Sequence, residues 1–232
     1  MKIAKLIFSI LIVSLCYILP GCNPSSNNNV TPYGPDSISA YLACEALTQD
    51  STIWQPGIYV EQAYAYFKQN PSDSNTFLVD SVLINGKMLL VDGSNIGYFI
   101  TDSTLELSNS SNWRVAGNTL MPSFSYNHAL PMPAITGILP DTVHLNSGIT
   151  FTLSFQNADS VIISFPDSTG NVVSKTFSES STAQYFSSGE IAALRFYSVY
   201  DVTAFASTTV TLSGKKIIFT KVRRIRHVAW VM

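Results

Sequence analysis

The feature that most constrains the fold is a series of short extended segments separated by turn residues. Ile149, Phe151, Leu153 and Phe155 are spaced two apart, with small hydroxyl residues between them. Alternation of period two predicts a strand with one buried face. About seven such segments follow residue 141 at roughly ten-residue spacing, which is typical of a β-sandwich.

The first half of the chain also carries strand and turn signals. Asn85-Gly86 lies between two apolar runs, and both central residues of a type I′ hairpin turn need positive φ. Ile58–Phe67 predicts a longer strand. Residues 38–47 suit a helix by propensity, but the β-rich surroundings favour a strand. Further short strands are predicted at residues 77–79, 97–100, 105–107 and 113–115.

These patterns predict an all-β protein with two consecutive sandwich domains of immunoglobulin or fibronectin type. The N-terminal β domain is expected over residues 36–121 and the C-terminal one over 141–232. Residues 122–140 lose the periodicity and contain four prolines, which cannot donate to a sheet ladder. We interpret this segment as a domain junction that packs partly against a domain.

The N-terminus carries an export signal. Lys2 and Lys5 precede an apolar run, Leu6–Leu19, which is too short for a spanning helix and suits a signal peptide. The run ends in Leu19-Pro20-Gly21-Cys22, which resembles the lipobox of bacterial lipoproteins. The resemblance implies cleavage after residue 21 and a diacylglyceryl thioether on Cys22. The next residues are polar and have almost nothing to bury, which predicts a flexible tether over residues 22–35. The alternative is an uncleaved membrane anchor.

The resemblance also implies a location. Asn23, rather than an aspartate, follows the lipidated cysteine, and this implies passage to the outer membrane, facing the periplasm or the cell surface. Charged residues make up only 12 % of the chain, and the formal net charge is −2. The lack of a basic excess argues against nucleic acid as a partner.

The sequence offers little catalytic chemistry. Cys44 is the one cysteine outside the leader and the lipobox, and it lies in an apolar stretch that predicts burial. His128, His144 and His227 have no ligand-type spacing, and neither a metal nor a cofactor is expected. Asp167–Asn171 is interpreted as a β-turn rather than a calcium loop. We therefore expect no enzymatic activity.

Two groups of residues are candidates for binding. Tyr64 and Tyr66 share one face of a predicted strand with Trp54 just before it, and exposed rings of this kind stack on sugars; core packing is the alternative. A basic segment near the C-terminus is interpreted as solvent-facing charge on an edge strand, with a patch for anionic lipid or glycan as the alternative. Its members are Lys215, Lys216, Lys221, Arg223, Arg224 and Arg226. The Arg223-Arg224 pair breaks the alternation and predicts a bulge.

One short motif recurs. Seven of the ten aspartates are followed by Ser or Thr and then by an apolar residue or Thr. The triplet resembles the O-glycosylation signal of bacteroidete-type extracytoplasmic proteins. Its structural interpretation is a local side-chain turn that begins a strand. Both interpretations stay open.

Taken together, the chain resembles uncharacterised bacteroidete-type lipoproteins, and that resemblance implies no activity. The leading hypothesis is a non-catalytic binding or structural module held at a membrane by its lipid. The alternatives are a glycan-capture lipoprotein that uses Trp54, Tyr64 and Tyr66, and a small hydrolase whose site forms only in space. A glycan or an envelope protein is the expected partner besides the membrane.

Overall fold

A computed structural model describes residues 39–49, 57–69, 75–93, 97–166, 172–194 and 197–232. Nearly all regular structure in these ranges is β-strand, which confirms the all-β class. One short helix, α1 (Ser188–Ile191), is the helical element of these ranges. Within the described ranges no helix is long and apolar enough to cross a membrane.

A nine-stranded sheet organises the molecule. Eight of its strands form one path, in the order β13-β12-β15-β16-β1-β2-β6-β5, and β10 pairs with the end of β16. In chain order the members are β1 (Ala40–Gln49), β2 (Ile58–Phe67), β5 (Leu90–Val91), β6 (Tyr98–Thr101), β10 (Thr142–Val143), β12 (Ser160–Pro166), β13 (Val172–Phe177), β15 (Tyr197–Leu212) and β16 (Lys215–Val231).

Two small sheets accompany the large one. The first has the order β4-β3-β7-β8 and the second the order β14-β11-β9. Their strands are β3 (Ser81–Ile84), β4 (Lys87–Met88), β7 (Ser111–Ala116), β8 (Phe124–His128), β9 (Ala134–Ile138), β11 (Ile149–Gln156) and β14 (Gln184–Phe186). In β11 burial alternates strictly, with the residues at 149, 151, 153 and 155 inside, as the sequence predicts.

The hairpin β15–β16 is the longest feature of the fold. Its strands pair without interruption from Leu212↔Lys215 to Tyr197↔Trp230, so the bulge predicted at Arg223-Arg224 is wrong. Ser213 and Gly214 form the turn with φ of 50° and 76°. Sixteen extended residues span about 54 Å, well beyond an ordinary strand.

The first and last described strands along the chain, β1 and β16, are neighbours in the large sheet. β1 pairs in parallel with β16 over ten residues, from Ala40↔Ile217 to Gln49↔Arg226, and it pairs antiparallel with β2 on its other side. This confirms the strand rather than the helix at residues 38–47. Residues 217–222 of β16 are all buried, so side chains on both faces of the sheet are covered there.

Two hydrophobic cores lie on the same face of the large sheet. Strand register puts Phe219 of β16 on that face, and it packs in the first core against Trp113, Phe124 and Tyr126 of the first small sheet. Tyr200 of β15, also on that face, packs against Phe151 of the second small sheet in the second core. The hairpin therefore contributes side chains to both cores.

The proline-rich segment forms more structure than the sequence predicts. β8 and β9 both lie within residues 122–140. Phe124 packs on the first core and Ile135 on the second, in agreement with the expected partial packing. Conversely, residues 77–79 and 105–107 are not strands. Leu105 and Leu107 are buried there nonetheless, because apolar burial does not require regular backbone.

Four of the seven Asp-Ser/Thr triplets lie in the described ranges. Ser81, Thr142 and Ser160 are each the first residue of a strand, which supports the structural interpretation. In the fourth triplet, the Asp102 carboxylate accepts hydrogen bonds from the amide and hydroxyl of Thr104. The hydroxyl of Ser160 is buried, so that triplet does not offer an accessible oxygen for glycosylation.

The hairpin turn provides a test of backbone strain. A Cβ on Gly214 or on Gly189 would meet nothing within 4 Å, but only Gly214 has a positive φ, of 76°. We expect Gly214→Ala to lower the free energy of unfolding by about 1 kcal/mol, because an L-residue there adopts the left-handed conformation. Chemical denaturation measures this. Gly189→Ala is the matched control, and an equal loss in both variants would contradict the explanation.

Candidate ligand-binding cleft

A cleft of about 280 Å³ lies between the two cores. Its floor is the large sheet, where Arg223, Ile225 and His227 project from β16 beside Thr48 of β1. Its other wall is β9 and the residue after it, with Leu153 of β11. The wall residues are Ile135, Thr136, Gly137, Leu139 and Leu153.

The wall of the cleft depends on one glycine. Gly137 has φ of 122°, and a Cβ there would come within 2.5 Å of the carbonyl oxygen of Thr152. Gly137 pairs with Leu153 in the β9–β11 ladder. A side chain at residue 137 would therefore push β9 away from β11 and change the shape of the cleft.

Arg223 carries the positive charge at one end of the cleft floor. Its guanidinium lies 5.6 Å from the ring centroid of Tyr59 and contacts the phenol oxygen. Tyr59 donates a hydrogen bond of 2.9 Å to Glu61, and the second oxygen of Glu61 accepts the amide of Glu106 at 3.1 Å. Glu61 thus reaches Arg223 only through the tyrosine. Burial and hydrogen bonding to Glu61 raise the pKa of Tyr59.

The opposite end of the floor has a second polar group. His227 Nε2 lies 2.9 Å from Asp141 Oδ1. Between the two ends lies Ile225, and Thr48 pairs with it across the β1–β16 ladder. The Thr48 hydroxyl is buried and has no hydrogen-bond partner in the described part of the chain.

The interpretation of the basic segment as an edge strand is wrong. β16 lies inside the sheet, and its neighbours supply acceptors for its charges. Arg226 forms two bonds of 2.9 and 3.0 Å with Asp201, its cross-strand partner on β15. Arg224 lies 3.0 Å from Glu45 of β1. These residues therefore do not form a continuous basic surface patch, because their charges are neutralised by pairing.

Lys221 is fully buried in the first core. Its ammonium group donates to the carbonyl oxygens of Leu107 and Asn109 at 2.9 and 2.8 Å. Desolvation lowers its pKa. A charged residue on an alternating strand normally faces solvent, and Lys221 was expected to do so with the rest of the basic segment. It lies instead between β16 and a loop whose two carbonyl groups accept its hydrogen bonds.

Cys44, Ser111 and His128 lie near Lys221. Cys44 pairs with Lys221 across the ladder, is buried as predicted, and donates to the Ser111 hydroxyl at 3.3 Å. Burial raises the pKa of the Cys44 thiol to about 11, so it is protonated at neutral pH. Burial and the charge of Lys221 lower the pKa of His128 to about 4. Neither ring nitrogen of His128 has a hydrogen-bond partner among the described residues.

The predicted aromatic surface is only partly described. Trp54 and the lipidation residue Cys22 lie outside the described residues. Tyr64 and Tyr66 are half-buried, with ring centroids 6.0 Å apart, and Tyr41 extends the row at 6.0 Å from Tyr64. Register puts this row on the sheet face opposite the cleft. Burial raises the pKa of Tyr64 well above its usual value.

The described residues indicate no metal site, and comparison with known proteins identifies no family. The part of the chain that the structure describes contains no group of three or more His, Cys, Asp or Glu side chains placed to hold a metal ion. No protein-family model matches the sequence, and no curated protein matches it significantly.

Three residues of the cleft were not singled out as a site by the sequence. Thr48 lies at the end of an apolar strand, Arg223 was assigned to the basic segment, and His227 had no ligand-type spacing. The break in alternation at Arg223-Arg224 is the signal that marked the region. It arises because both faces of β16 carry a charged residue there: Arg223 lies over Tyr59 of β2, and Arg224 lies beside Glu45 of β1.

The depressed pKa of His128 predicts a pH dependence of stability. The folded protein keeps His128 neutral down to about pH 4, whereas an unfolded histidine takes up a proton near pH 6.5. The free energy of unfolding should therefore fall as the pH decreases from 6.5 to 4, by the order of 2–3 kcal/mol.

His128→Phe should remove most of this decrease, because phenylalanine keeps the packing against Tyr126 and Phe219 and does not titrate. Denaturant unfolding at a series of pH values measures it. His144→Gln, at an exposed position, is the control. A full decrease in His128→Phe would show that other groups cause it.

Proposed function

We propose that this chain is a non-catalytic binding module of the cell envelope, held at the outer membrane by lipid on Cys22. The observation that carries the proposal is the cleft between the two cores. It combines an apolar wall with a cation and an unpartnered hydroxyl, which is the mixture typical of small-ligand sites.

The position of the cleft supports a binding role. Its floor comes from β16 and β1, which pair with each other and with β15 and β2 on their outer sides. Side chains on paired central strands are held in place more firmly than side chains on loops. A site on such strands is organised before the ligand arrives, which lowers the entropic cost of binding.

We also retain, as part of the proposal, the description of two sandwich-like units at residues 36–121 and 141–232. Each small sheet packs on one part of the large sheet around its own core. The last hairpin belongs to both units, since Ile217 and Phe219 lie in the first core and Ala229 and Val231 in the second.

The anchor is tested with the leader cysteines. Cys22→Ser should move the protein from the membrane fraction to the soluble fraction, because a serine cannot form the thioether and acyl burial contributes about 0.8 kcal/mol per methylene. Fractionation of cells followed by immunoblotting measures this. Cys16→Ser, in the apolar run of the same leader, should leave the protein at the membrane. A Cys22→Ser protein that stays membrane-bound would contradict the anchor.

The second candidate is glycan capture by the aromatic row. Tyr41, Tyr64 and Tyr66 form a cluster in which the Tyr64 ring lies 6.0 Å from each of the other two, and Trp54 precedes the strand that carries two of them. Neighbouring rings offer adjacent apolar faces on which a sugar can stack. A small hydrolase is the third candidate, and no specific contact in the described ranges favours it over binding.

A glycan array separates the second candidate from the first. If the row captures sugar, Tyr66→Ala and Trp54→Ala should each weaken binding by about tenfold, because a stacked ring contributes about 1 kcal/mol or more. Tyr185→Ala is the control, because Tyr185 is 49 % exposed on β14. The absence of any glycan signal, or the same loss in the control, would rule out capture by this row.

A further inference from the structure

We propose that the cleft binds a small carboxylic acid with a branched aliphatic body, its carboxylate at Arg223 and Thr48 and its body against Ile225, Ile135 and Leu153. This inference rests on the proposed function and names the class of ligand for it. Three independent observations lead to it: the contacts of Arg223, the environment of Thr48 and the shape of the wall.

Among the cations at residues 221–226 of β16, Arg223 differs in meeting neither a carboxylate nor a backbone carbonyl within the described ranges. Lys221 meets two carbonyl oxygens, Arg224 meets Glu45, and Arg226 meets Asp201 in a two-bond pair. Arg223 meets a tyrosine ring and its phenol oxygen, and in the ranges that the structure describes it forms no ion pair.

A guanidinium has five N–H donors in a planar fork, and the phenol of Tyr59 uses a small part of them. The tyrosine also holds the guanidinium plane in position from one side. The remaining donors of a half-buried arginine match the two oxygens of a carboxylate, which forms the strongest class of protein hydrogen bond.

Thr48 supplies the second observation. Its hydroxyl is buried at the cleft and lacks a hydrogen-bond partner within the described chain. Buried polar groups are rarely left in this state, because the lost bond to water is not replaced. Thr48 lies beside Ile225 in the ladder, one step along the strand from Arg223. A carboxylate bound at Arg223 therefore has a neutral donor within the same part of the floor.

The wall supplies the third observation. Beyond Arg223 the floor continues with Ile225, and the facing side consists of Ile135, Leu139 and Leu153. Arg223 and His227 are four residues apart on one strand, or about 13 Å. A volume of about 280 Å³ admits a small molecule and excludes a folded partner. Among the described residues, the cleft lining contains no aspartate or glutamate that would repel the anion.

The test uses the full chain in lipid nanodiscs, with empty nanodiscs as the blank, and measures binding by equilibrium dialysis. The probe is 4-methylpentanoate, and its amide is the uncharged analogue of the same shape. We expect the acid to bind and the amide to bind at least tenfold more weakly, because only the acid presents two anionic oxygens to Arg223.

Two variants at the site are compared with a control variant that removes one positive charge elsewhere on β16. Arg223→Gln should weaken binding of the acid by about tenfold or more, and Thr48→Val by several-fold, because each removes donors and keeps a similar size. Arg226→Gln removes the same charge from the same strand on the other face, and it should leave binding unchanged. Circular dichroism melting of each variant establishes that it is folded before its affinity is compared.

The outcomes separate this inference from the proposed function. If acid and amide bind equally, or if Arg226→Gln weakens binding as much as Arg223→Gln, the carboxylate assignment is overturned and the cleft stays a binding site. If neither compound binds, the ligand class and the use of the cleft both fail. Membrane anchoring is decided separately by the fractionation of Cys22→Ser.

Discussion

The fold depends on the backbone pairing of β16 with β15 on one side and β1 on the other. Sixteen paired residues join it to β15, and ten join it to β1. One face of this central strand carries Phe219 into the first core and Val231 into the second. In the described ranges the two small sheets share no ladder, and both pack on this face. Loss of β16 would therefore remove part of both cores at once.

The same pairing produces the cleft. Between the apolar ends of β16, residues 221–227 carry five of the strand's cationic or titratable side chains, and the two cores separate there. Residues on one face, such as Arg224 and Arg226, meet carboxylates of the neighbouring strands. On the other face Lys221 is covered by the loop at Leu107 and Asn109, while Arg223 lies at the opening. This part of β16 carries polar side chains because the apolar packing of both cores ends there.

Local features of this structure were predictable from sequence, and long-range ones were not. The turns at Asn85-Gly86 and Ser213-Gly214 have the positive φ values that their residues favour, and the alternation of β11 matches its burial. The burial of Cys44 followed from its apolar neighbours. The parallel pairing of β1 with β16 joins residues from opposite ends of the chain, and neither strand carries a local sign of its partner. The cleft floor at Thr48 and the pairing of Arg224 with Glu45 both depend on this contact between β1 and β16.

Parallel pairing of the first and last described strands has a mechanical consequence. The amino end of β1 and the carboxyl end of β16 point in opposite directions along neighbouring strands. Tension applied between the two ends of the chain would run along these strands, perpendicular to their hydrogen bonds. All the bonds of the ladder would then share the load in shear, instead of opening one after another as in a zipper. A pull between these two strand ends would in this way be resisted by the whole β1–β16 ladder at once.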